Sequence, residues 1–94
     1  MAVIECVEIV LNEQISFRTA QSAIAKIQAA IKNGITHIHL AATESTKISS
    51  AGFLAFLAVA ARHLEDKGGE LQIVGANANM KNLLAISRLE RLAR

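Results

Sequence analysis

The sequence predicts an α/β domain: a small, mostly parallel sheet of about four strands with helices packed against it. Three observations carry that reading. Segments of β type alternate with segments of helical period along the whole chain. The 94 residues leave room for one core. No proline, internal repeat or Gly/Ser-rich stretch marks a linker, so residues 1–94 are read as a single domain.

Val3 to Leu11 is rich in β-branched and aliphatic residues, with Glu5 and Glu8 interspersed, and suits one strand or a short strand with a bent continuation. Asn12 to Gln14 is polar and reads as a turn or strand end. Ala20, Ala23, Ile24, Ile27, Ala30 and Ile31 then recur at spacings of three and four. Arg18, Gln21, Lys26, Gln28 and Lys32 fill the other side of that helix. Asn33-Gly34 supplies its stop. Ile35 to Ala42 is a short apolar β-type run, and Thr43 to Ser50 is polar and turn-like. Ala51 to Lys67 has helical length and composition, ended by Gly68-Gly69. Glu70 to Val74 is a further strand, and a last helix runs from Ala78 to Ile86, with Leu89 and Leu92 beyond it. Strands joined through helices imply right-handed crossovers and parallel pairing.

Composition argues against several functions. Phe17, Phe53 and Phe56 are the only aromatic residues, too few for a base-stacking platform. A net charge of +2 is not the clustered basic face of a nucleic-acid binder, although Lys81, Arg88, Arg91 and Arg94 gather near the carboxyl end. Those cations suit the negative end of a helix dipole. Cys6 is the single cysteine, so neither an internal disulfide nor a cysteine-rich zinc site can form. The start, MAVIECVE, lacks the basic and long apolar stretches of a signal peptide. The most apolar run, Ala51 to Ala61, falls short of the ~20 residues of a membrane span. A cytoplasmic protein without membrane insertion is expected.

The segment TESTKISSAG turns from polar loop into apolar helix. Ser50 sits at the N-cap position, where its hydroxyl can accept from the amide of Gly52 or Phe53. Such a serine can serve simply as a helix cap, yet a phosphate there would lie at the positive end of the helix dipole. The helix that follows has no polar face for nearly three turns. It is therefore either buried between neighbours or a contact face for a partner. Phe53 and Phe56 cannot both point inward with Leu54 and Leu57. His37 and His39 share one strand face, but with Glu44 and His63 unplaced no metal site is assigned. No histidine and carboxylate are aligned to activate Ser50, and no phosphate-cradling loop exists, so neither an enzyme nor a cofactor is expected.

KISSAGFLAFL followed by KGGELQIVGANANMKNLL resembles the signature of the STAS family. Ile48, Ser49, Ser50, Ala51, Gly52 and Phe53 match its helix-opening motif in order. Gly68, Gly69, Leu71, Ile73, Val74, Met80, Leu83 and Leu84 match its later strand and helix. The resemblance implies a STAS-like fold and a regulatory interaction module similar to anti-sigma factor antagonists. In those proteins the serine matching Ser50 is phosphorylated by a partner that is both anti-sigma factor and kinase. The unmodified form binds that partner, and a cognate phosphatase resets the switch. The implied contact residues are Ser49, Ser50, Ala51, Gly52, Phe53 and Phe56. Ser49 stands where the family often has Asp, which makes it the alternative acceptor, and Thr46 is a further candidate in the same loop. Asn12-Glu13 and Ser87-Arg88 replace turn pairs that many members fill with glycine. The family also contains unphosphorylated subunits of lipid-transport ABC complexes and of stress-signalling assemblies, the alternative role.

Overall fold

The computed structural model describes residues 6–11 and 13–93. Strand β1 (Cys6–Val10) leads through β2 (Gln14–Ile15) into α1 (Phe17–Lys32). Then come β3 (His37–Ala41), β4 (Lys47–Ile48), α2 (Ala51–Asp66), β5 (Glu70–Val74), α3 (Ala78–Ile86) and a 3₁₀ turn at Glu90–Leu92. The expected strand at Val3 to Leu11 is β1; its Val3 to Glu5 portion lies outside the described residues, as does Asn12.

The strands form a parallel three-stranded sheet ordered β1-β3-β5, with Cys6 opposite His37 and His37 opposite Glu70. A second, two-stranded parallel sheet pairs Gln14 with Lys47 and Ile15 with Ile48. Of the stretch read as a turn or strand end, Gln14 belongs to strand β2. One sequence expectation is corrected here: Thr43 to Ser50 is not wholly loop, since it contains β4. Two residues are too short to show a period of two, so the pattern carries no trace of them.

Each crossover steps the sheet in the same direction. Right-handed connections therefore put α1 and α2 on one face. Side-chain burial agrees: Ile9, Ile38, Leu40, Leu71 and Ile73 are buried under the helices together with Ile27, Leu57 and Leu64. The alternate residues Glu8, His37, His39, Glu70 and Gln72 stand on the opposite face, Glu8 exposed and the other four half-buried.

Each helix start is capped by a side chain. Ser16 and Thr19 form a reciprocal box that begins α1 one turn before its first core alanine, Ala20. All three helices end alike. Gly34, Gly68 and Arg88 each take a left-handed backbone (φ 84°, 79° and 60°). The residue that follows each, Ile35, Gly69 or Leu89, donates its N–H back to Ala30, Leu64 or Leu84. Arg88 thus performs the turn that glycine performs at the other two ends. A left-handed residue with a Cβ costs roughly 1–2 kcal/mol. Arg88→Gly should therefore raise stability by up to about 1 kcal/mol, once the greater unfolded-state freedom of glycine is subtracted. Urea denaturation decides it, and a destabilised variant would mean that the Arg88 side chain contributes more than its backbone costs.

Candidate functional site

The small β2–β4 sheet is what builds the site. It draws the starts of α1 and α2 to one end of the molecule, and the Ser49 N–H continues the ladder by donating to Ile15 O at 2.9 Å. Ser50 then caps α2, its Oγ accepting from the Phe53 N–H at 3.2 Å. Of the two serines, Ser49 is exposed and Ser50 is only 9% exposed. Thr46 is buried at 1%, its Oγ1 accepting from the Thr43 N–H at 2.9 Å. That burial removes Thr46 from the accessible acceptors of the loop.

Asn77, which the sequence reading passed over, holds the same loop from the far side. Its Oδ1 accepts from the Met80 N–H (2.8 Å) to cap α3. Its Nδ2 is shared among the carbonyls of Glu44 (3.0 Å), Thr46 (2.9 Å) and Thr43 (3.4 Å). The signal was available, since Asn77 directly precedes the first residue of the predicted helix.

Beside Ser50 lies an apolar hollow of about 220 Å³, lined by Ile48, Ser49, Ser50, Ala51, Leu54 and Leu83. Across Ile48 and Leu83 it adjoins a second hollow of about 210 Å³ under Thr46, Asn79 and Met80. The aromatic residues divide. Phe53 is fully buried with Leu57, while Leu54 and Phe56 are half-buried. The Phe53 ring is therefore core, and the expectation that it contributes to a contact face is corrected. What α2 shows to solvent is Ala51, Gly52, Ala55 and Val59, followed by the polar Arg62, His63, Glu65 and Asp66. Phe17, at the start of α1, is 79% exposed at the same end of the molecule.

The other sequence candidates lie apart from this end. His37 turns its Nδ1 to Thr36 Oγ1 (3.0 Å), and His39 lies between Cys6 (Nδ1 to Sγ, 3.6 Å) and Glu70 (Nε2 to Oε1, 3.6 Å). Among the described residues no three ligand-type side chains converge on a metal position. Arg91 pairs with Glu65 at 3.2 Å in solvent, and Arg94 lies outside the described residues. No helix among the described residues is long and apolar enough to cross a membrane.

The family model described as "Mlab, STAS domain" matches residues 3–94. The chain belongs to the STAS family. This STAS domain also superposes on two solved structures. One is the Bacillus cell fate determinant SpoIIAA in its phosphorylated form, at 22% identity and TM-score 0.75, covering all of this chain and 85% of that one. The other is the anti-sigma factor antagonist SpoIIAA in its unphosphorylated form, at 21% identity and TM-score 0.77, covering all of this chain and 82% of that one. At such identity the likeness is one of fold. No curated protein sequence matches the chain significantly. The expected α/β fold is the one observed, with its strands divided between two small sheets.

Proposed function

We propose that this STAS domain is a non-enzymatic interaction module of the anti-sigma-factor-antagonist kind, switched by phosphorylation of Ser50. The observation that carries the reading is the position of Ser50. It is at once the cap of α2 and part of the wall of an apolar hollow. A phosphate there adds about two negative charges and three acceptor oxygens at the positive end of the helix. The helix tolerates it, and no acidic residue in its first turn opposes it. A partner seated over Ile48, Leu54 and Leu83 would have to desolvate that charge, which opposes binding. SpoIIAA, a superposable fold solved in both phosphorylated and unphosphorylated forms, lends support in kind.

The partner is a kinase-type anti-sigma factor, and a phosphatase restores the free serine. Gly52 leaves the first turn of α2 without a side chain beside Ser50 Oγ, so nothing of the helix's own screens the hydroxyl on that side. For modification, Ser50 Oγ has to release the Phe53 amide and rotate outward.

Ser50→Asp should weaken binding to the kinase-type partner at least about tenfold, equivalent to about 1.4 kcal/mol. Ser50→Ala should bind as the unmodified protein does, and lose only about 1 kcal/mol of stability with its cap. Titration calorimetry against that partner reads the difference; equal affinities for the two variants would sink the switch. A second reading draws on the burial of Ser50 and on Ser49 in place of an acidic neighbour: a constitutive subunit of a lipid-transport ABC complex or signalling assembly. Phosphosite mapping of the protein from its native cells, with identification of what co-purifies, separates the two.

A further inference from the structure

A broad concavity lies away from Ser50, along the side of β1 that faces away from β3. We propose that β1 accepts an extended segment of a partner protein as a fourth strand of the main sheet. That segment would turn aliphatic residues toward α1 and carry Lys or Arg opposite Glu8.

Among the described residues β1 pairs with β3 alone. The Leu11 N–H donates to Ala41 O at 2.9 Å, continuing that ladder. Backbone polarity alternates along a parallel strand. Val7 and Ile9 therefore aim their amides and carbonyls at β3, whereas Cys6, Glu8 and Val10 aim theirs outward. Sheet edges are ordinarily protected by charged side chains, lysine above all, by proline or by a bulge; CVEIV carries no lysine and no proline, and Glu8 is its single charge. Beside this edge runs a groove of about 640 Å³ between β1 and α1. Val7, Ile9 and Ile35 line it, and Ala29 and Ala30 keep its helix side low, which leaves room for incoming side chains. Val10, at the end of the edge, is 64% exposed.

Charge decides the occupant. On the sheet face away from the helices the three strands present Glu8 and Glu70 and neither Lys nor Arg. An added strand thus meets a carboxylate directly beside it, where a cation is favoured. Lys26 stands on the opposite, helix-side lip, so cations fit only at the positions facing away from the helices, and apolar residues take the alternate ones. A second copy of β1 would bring only Cys6, Glu8 and Val10 to those positions and supply no cation. The groove shares no lining residue with the Ser50 hollow, so the proposal stands or falls independently of the switch.

Amide NMR of the full chain, titrated with a seven-residue peptide alternating Val and Lys and separately with its Val/Glu counterpart, tests it. The Val/Lys peptide should shift resonances of β1 and of Lys26 to Ile35, and slow hydrogen exchange at the Glu8 and Val10 amides. Because the protein is itself cationic at +2, a basic peptide is not drawn to the surface at large. Glu8→Pro deletes an outward N–H while sparing the ladder to β3, and should weaken binding at least about tenfold. Glu8→Gln keeps the backbone and should erase the preference for Lys over Glu; it decides the matter if the proline variant unfolds. Shifts confined elsewhere, equal response to both peptides, or no response to either overturns the proposal. So does protection of the Glu8 and Val10 amides in a concentration-dependent dimer without peptide, which would assign the edge to a second copy.

Discussion

Phe53→Ala should lower the unfolding free energy by about 3–5 kcal/mol, while Phe56→Ala should cost less than about half of that. The two rings are three residues apart on α2 and both looked available to a partner. Phe53 is fully enclosed with Leu57 between the helix and the sheet, so its loss opens a cavity that a rigid sheet cannot collapse to fill. Phe56 is half-buried, and part of its ring area is already in water. Since domains of this kind are stable by only about 5–15 kcal/mol, the Phe53 variant should show a large drop in urea midpoint at unchanged slope. If Phe53→Ala instead left the midpoint in place and weakened partner binding, the ring would belong to the contact face and the packing described for it would be wrong.

Gly69→Ala should be nearly as damaging, at about 3 kcal/mol, or a fall in melting temperature of roughly 12–24 °C for a domain of this size. Gly68 and Gly69 read in sequence as one helix stop, but they do different work. Gly68 supplies the left-handed turn and has open space around it. Gly69 has no unusual φ; a Cβ there would overlap the carbonyl oxygen of Thr36. That carbonyl accepts the Glu70 N–H at 2.9 Å, so it cannot withdraw without breaking the first bond between the β3 approach and β5. Gly68→Ala should cost about 1–2 kcal/mol, the backbone term alone. Thermal melts that rank the two variants in the reverse order would remove the close approach from the account.

How much of this was legible depends on the length over which a residue pattern acts. The long helices and the three main strands announce themselves because burial repeats along them many times: Ala20 to Ile31 every three or four residues, Ile38 and Leu40 every two. The N-cap at Ser50 was legible for the same local reason, a hydroxyl directly before an apolar helix. β2 and β4 were not, because their pairing joins Gln14 to Lys47 across the fold and neither partner carries a pattern of its own. Asn77 was local but overlooked: its cap is plain in sequence, whereas its grip on the Thr43–Thr46 carbonyls is a tertiary fact. The fate of Phe53 against Phe56 was likewise beyond reach, since a helix apolar on every side gives no phase. Only the position of the sheet says which side faces in.

The strand order has a kinetic side. β3 is the only strand that touches both others, and each ladder joins residues roughly thirty positions apart in sequence. Neither edge strand can pair with β3 until a loop containing an entire helix has closed onto residues 37–41, at an entropic cost that comes before the ladder repays it. α1 and α2 can form early from local contacts, but they have nothing flat to rest on until then. The time the chain spends searching is therefore set by the arrival of its middle strand, and until that moment the aliphatic sequences of both edge strands are open to neighbouring molecules.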